Sequence, residues 1–142
     1  MTRPPFWMPV LLAAATACGP APTSPSHYAP FSQTDLVVGT GDEAVDGRLL
    51  TVDYTLWLYD ATATDNKGVQ LETSVGVEPL LFMLGNASVI RGWDQGVPGM
   101  RAGGVRRLVI PPSLGYGPTR NDIVPPNSTL IFEIELLMVE PV

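Results

Sequence analysis

Catalysis by a nucleophile, a general base or a bound metal draws on histidine, cysteine or clustered carboxylates, and this 142-residue chain nearly lacks the first two. Its one histidine, His27, and its one cysteine, Cys18, both precede Asp35. From Asp35 onward neither type occurs, so Ser-His and Cys-His chemistry and His- or Cys-ligated metal sites are unavailable there. "GTG" at residues 39–41 lacks the third glycine of a dinucleotide-binding turn, and no GK[ST] phosphate loop is present. Glu133 and Glu135 stand at strand spacing on a polar face, where charge discourages edge-to-edge aggregation. The triplets starting at Asn86 and Asn127 match glycosylation acceptors, a pattern short enough to arise by chance. What remains is apolar: Tyr54, Phe82, Trp93, Tyr116 and Phe132. Glycine precedes Trp93 and brackets Tyr116, leaving both rings open to whatever lies alongside. Either these rings are simply core, or they line a site that works without nucleophile, metal or cofactor.

The elements that would position them are mostly strands. Leu50, Val52, Tyr54, Leu56 and Leu58 alternate with Thr51, Asp53, Thr55 and Trp57, the pattern of a half-buried strand. Leu130, Phe132, Ile134, Leu136 and Met138 alternate in the same way, with Glu133 and Glu135 facing out. "RRLVI" at 106–110 and "PLLFML" at 79–84 are two more candidates, and "DLVVG" from Asp35 adds a short one. Ile90, Trp93 and Val97 alone share a helical face, and Pro98 limits that helix to about two turns. The predicted fold class is α+β, an antiparallel sheet over one short helix. Residues 60–68 read as a polar loop. Residues 111–128, with five prolines, read as a long ordered loop forming the wall of a site.

Residues 1–34 have a different character: they are crowded with proline and carry one charge, Arg3. A weakly basic start, an apolar run over 8–17 and small residues ending at Cys18 have the layout of a secretory signal peptide. "AATAC" resembles a bacterial lipobox, although Ala15 stands where leucine is usual. The expected division is a signal peptide over 1–17, a Pro/Ser/Thr-rich tether over 18–34 and a folded domain over 35–142. Lipidation of Cys18 would place the domain on a bacterial envelope membrane, facing the periplasm or the exterior. Plain secretion, leaving it soluble, is the alternative. A formal net charge of -6 repels phosphate backbones and excludes nucleic acid as a partner. No coiled coil or long apolar surface stretch calls for an oligomer, so a monomer is expected.

"FMLGNASVIRGWDQGVPGMRAGGVRRLVIPPSLGYG" at 82–117, followed by "IVPPNSTLIFEIELL" at 123–137, closely resembles the FKBP-type peptidyl-prolyl isomerases. The likeness covers essentially the whole domain. It implies an antiparallel sheet wrapped over a short helix, and cis/trans isomerisation of X-Pro bonds without metal or cofactor. The partners implied are proline-containing polypeptides and the macrolide inhibitors of the family. Carried over by position, Trp93 would be the floor of the proline pocket and the Ile90 backbone N–H would hold a substrate carbonyl. The Tyr116 hydroxyl would donate a second hydrogen bond. Tyr54, Val89 and Phe132 would form walls, with Ile123 or Val124 closing the loop side. Glu72 falls where the family has aspartate near Tyr54, and Leu71 and Leu80 fall where members often have phenylalanine. With those changes, a binding or chaperone-like module of the same fold with little turnover is the alternative reading.

Overall fold

A computed structural model describes residues 27–119 and 121–141. The expected signal peptide, Cys18 and the first part of the tether lie outside the described residues. Six strands form one antiparallel sheet: β1 (Ser32–Val37), β2 (Leu49–Tyr59), β3 (Lys67–Thr73), β4 (Leu80–Met83), β5 (Val105–Ile110) and β6 (Leu130–Val139). The spatial order is β1-β5-β6-β2-β3, and β4 pairs with the first part of β2. One helix, α1 (Arg91–Gly96), packs against the concave face. The α+β class, the two long strands and the short helix match the sequence reading.

The period-2 pattern explains the core. Leu50, Val52 and Leu56 of β2 meet Leu130, Phe132, Ile134 and Leu136 of β6 and Leu108 and Ile110 of β5, all buried. Burying such a side chain fully stabilises by roughly 1.5–3 kcal/mol, so the sheet face and α1 are held chiefly by this layer. Met138 departs from the expected alternation. The register runs Val52↔Leu136 and then Thr51↔Met138, which leaves Leu137 unopposed as a bulge. One extra residue flips the parity of the rest of the strand. Met138 is therefore 50% exposed, while Val139 turns inward at 6%.

Strand β1 starts at Ser32, inside the stretch read as tether, so the folded part begins before Asp35. Every residue of β1 is exposed. An edge strand of that kind carries no alternating pattern to read. It is held instead by pairing with β5 and by Asp35, whose carboxylate lies 2.7 Å from Arg106 Nε. Glu133 does face outward, but in company: Lys67 lies at 2.6 Å and Arg107 at 2.8 Å. Burial pushes the Glu133 carboxyl up, and these two hydrogen-bonded cations outweigh it and hold the group below its usual range. Lys67 also sits 4.4 Å from the centre of the Trp57 ring, shielding an otherwise exposed indole.

Candidate active site

Helix α1 is six residues long and carries two glycines, a poor helix by propensity. It is fixed by packing and by its ends. A Cβ on Gly92 would lie 2.6 Å from Ile110 Cδ1, and one on Gly96 would lie 2.6 Å from Leu108 Cδ2. Only glycine lets the helix sit that close to β5. At its C-terminal end, the buried Arg106 guanidinium donates to the carbonyls of Gly96 at 2.8 Å and Pro98 at 3.0 Å. That satisfies acceptors which the short helix leaves open. Gly99, at φ +89°, then turns the chain away.

This placement sets Trp93 at the centre of an aromatic nest. Its ring meets Phe132 edge-on at 5.2 Å and 88°, Tyr54 at 5.3 Å and 81°, and Phe82 at 5.4 Å and 66° between centroids. Such edge-to-face pairs add about 0.5–1.5 kcal/mol each beyond burial. The buried indole Nε1 makes no hydrogen bond among the described residues, which hold the ring by its faces and edges.

Above it lies a cavity of about 380 Å³. Trp93 and Phe132 meet Val89, Ile90 and Leu80 there, with Tyr54, Tyr116, Glu72 and Ser88 at the polar edge. Eight of the expected pocket residues thus converge: Tyr54, Glu72, Leu80, Val89, Ile90, Trp93, Tyr116 and Phe132. Leu71, Ile123 and Val124 do not line it. Leu56 opposes Glu72 and Trp57 opposes Gln70, so Leu71 is a bulge residue between them. A bulge breaks the strict alternation of the strand, and Leu71 packs half-buried against the core. Val124 is 1% exposed within the core and Ile123 is 41% exposed, so neither closes the loop side.

The sequence reading missed two residues. Ser88 lines the cavity, and its hydroxyl donates to the Met83 carbonyl at 3.0 Å. Asp94 accepts from the Gly85 N–H at 2.9 Å and the Ala87 N–H at 3.2 Å, pinning the turn that leads into Val89 and Ile90. Its place one residue after Trp93 was the only available signal.

The polar groups are few and ready. Among the described residues neither the Ile90 backbone N–H nor the Tyr116 hydroxyl has a hydrogen-bond partner. Tyr54 is clamped through its backbone: its N–H donates to Ser74 Oγ at 2.9 Å, and that hydroxyl donates to Asp53 at 2.8 Å. Burial, and then the Glu72 carboxylate beside it, push the Tyr54 hydroxyl up to about 12. Burial and the same carboxylate push Tyr116 upward too. Both phenols therefore keep their protons at neutral pH and act as donors. The Tyr54 hydroxyl is turned to Glu72, so the apolar floor with the Tyr116 hydroxyl and the Ile90 amide can hold a peptide carbonyl and a compact apolar ring.

The comparisons agree with this geometry. The profile of the FKBP-type peptidyl-prolyl cis-trans isomerase family matches residues 41–137. An FK506-binding protein of Neisseria meningitidis serogroup A is 46% identical over 106 residues, which are 74% of this chain and 92% of the relative. The crystal structure of AtFKBP13 superposes with a TM-score of 0.65 at 36% identity, covering 78% of this chain and 93% of that one. FkpA from Escherichia coli gives a TM-score of 0.66 at 37% identity, over 78% of this chain and 48% of that one. Matched over residues 41–137 and 46% identical to a relative covered almost end to end, the chain belongs to the family of FKBP-type peptidyl-prolyl cis-trans isomerases.

Proposed function

We propose that the chain accelerates cis/trans interconversion of X-Pro bonds in exported polypeptides, acting as a monomer tethered to a bacterial envelope membrane through lipidated Cys18. The carrying observation is the Trp93-floored cavity with an Ile90 N–H and a Tyr116 hydroxyl at its edge that have no hydrogen-bond partner among the described residues. Rotation about a peptide bond faces a barrier of about 18–20 kcal/mol because twisting the amide destroys its resonance. A twisted amide is less polar than a planar one, so a dry aromatic surface favours it relative to water. The donors can hold its carbonyl while the proline ring rests on Trp93. A site that binds the twisted form better than either planar form catalyses with no covalent step.

Exchange of a short X-Pro peptide, followed by NMR line shape, tests this. Turnover is expected, with kcat/KM flat from about pH 6 to 9, because both phenols titrate above that window. A change of more than about twofold across that range would mean that a titrating group takes part, and would overturn the proton-free mechanism. Binding without turnover would favour the chaperone-like alternative. FK506 is expected to compete with the peptide, since the cavity has an apolar floor and relatives are named for binding that ligand.

The address rests on the order of the first 18 residues: basic start, apolar run, small residues, cysteine. Two or more acyl chains would give stable anchoring where one would not. Mass spectrometry of protein made in a bacterial host should find Cys18 as an acylated N-terminal residue. A mature chain that starts beyond Cys18 without lipid would overturn the anchor.

A further inference from the structure

The groove does not stop at the rim of the Trp93 cavity. A second hollow of about 430 Å³ adjoins it, and Tyr54, Glu72 and Leu80 line both. Beyond those shared residues its walls come from the segment after β3, with Val77 and Glu78, and from Leu81 of β4. A polypeptide whose proline lies over Trp93 is far longer than one ring, so its flanking residues need a path out. This hollow is such a path, and its chemistry is mixed. Val77 is 81% exposed and Leu81 is 56% exposed, giving apolar surface beside two carboxylates.

Those carboxylates are not neutralised. Among the described residues the ion pairs join Lys67 and Arg107 to Glu133, Arg107 to Asp65, and Arg106 to Asp35, and none involves Glu72 or Glu78. Apolar surface ending in unpaired carboxylates suits a long aliphatic stem with a cationic head.

Resting on the isomerase reading of the cavity, we propose that the second hollow selects substrates with lysine or arginine within two residues of the proline. Glu78 is the residue that determines this preference. Leu80 carries the stem from the proline cavity, and Glu78 and Glu72 hold the cation.

The test compares peptides that differ only in charge: lysine against Nε-acetyl-lysine, placed before or after the proline, with both Kd and kcat/KM measured. Exposed charge pairs are weak, so lysine is expected to win by about three- to fivefold at one flank at low salt. The margin should shrink in about 0.5 M salt. Glu78→Gln should cut the ratio below about twofold. Glu135→Gln makes the same charge change at an exposed position of β6 and should leave the ratio intact. Equal acceptance of the two peptides at both flanks overturns the proposal. So does an equal loss from Glu135→Gln, which would assign the effect to net charge alone. Kd keeps the two readings apart: a lysine preference in binding without faster exchange sustains the groove and refutes the isomerase.

Discussion

Trp93→Ala is expected to lower stability by about 3–5 kcal/mol, and to remove at least about tenfold of kcat/KM at any temperature where the variant is folded. The stability loss comes from packing. Trp93 is 3% exposed and its ring is shared by Phe82, Phe132 and Tyr54, so alanine leaves a cavity bordered by three aromatic edges. No hydrogen bond to the described residues is lost, because Nε1 makes none with them. For a domain with a typical stability of about 5–15 kcal/mol this is a large fraction. A loss of activity in that variant alone could arise from disorder, so Trp93→Phe supplies the second reading. Phenylalanine keeps an aromatic face and most of the packing, and should retain the fold with a smaller stability change. It should still lose activity, because the narrower ring underlies less of a substrate proline. Denaturant melts and peptide exchange on both variants check this. A folded Trp93→Phe with wild-type kcat/KM would end the role of the indole as floor.

The sequence carried most of this site because the features that build it are local. Alternation along β2 and β6 placed Tyr54 and Phe132 on the inner face, and Pro98 marked the end of α1. What it did not carry was set across strands. A bulge exists only relative to a partner, so neither Leu137 nor Leu71 announces itself within its own strand. The first misled the placement of Met138. Strand β1 is exposed throughout and leaves no burial pattern. Ile123 and Val124 are a different case. Adjacent apolar residues in a turn offered two candidates for one wall, and the turn sends one to the core and the other to solvent. The Lys67–Glu133–Arg107 network was invisible because its members come from three strands.

Gly92→Ala tests the claim that close helix–sheet contact, rather than helix strength, positions Trp93. By propensity alone the substitution should help, since alanine in a helix is favoured over glycine by about 1 kcal/mol. The geometry says otherwise. The new Cβ would meet three atoms of Ile110, Cδ1 at 2.6 Å, Cγ2 at 2.7 Å and Cγ1 at 2.8 Å. Ile110 is fully buried and β-branched, so no rotamer removes both Cγ atoms from the contact. The helix must therefore move off β5, and overpacking of this kind costs about 1–3 kcal/mol. Trp93 is the next residue and shifts with the backbone, so kcat/KM should fall further than the stability change alone accounts for. Ile110→Ala removes all three clashing atoms at the expense of a buried side chain, about 2–5 kcal/mol by itself. The double variant should then be more stable than the sum of the two single changes predicts, by about 1–2 kcal/mol, and should recover part of the activity lost by Gly92→Ala. Strict additivity, or a Gly92→Ala variant more stable than wild type, would mean that the helix tolerates a Cβ at this contact and that something other than its closeness to β5 holds the indole under the cavity.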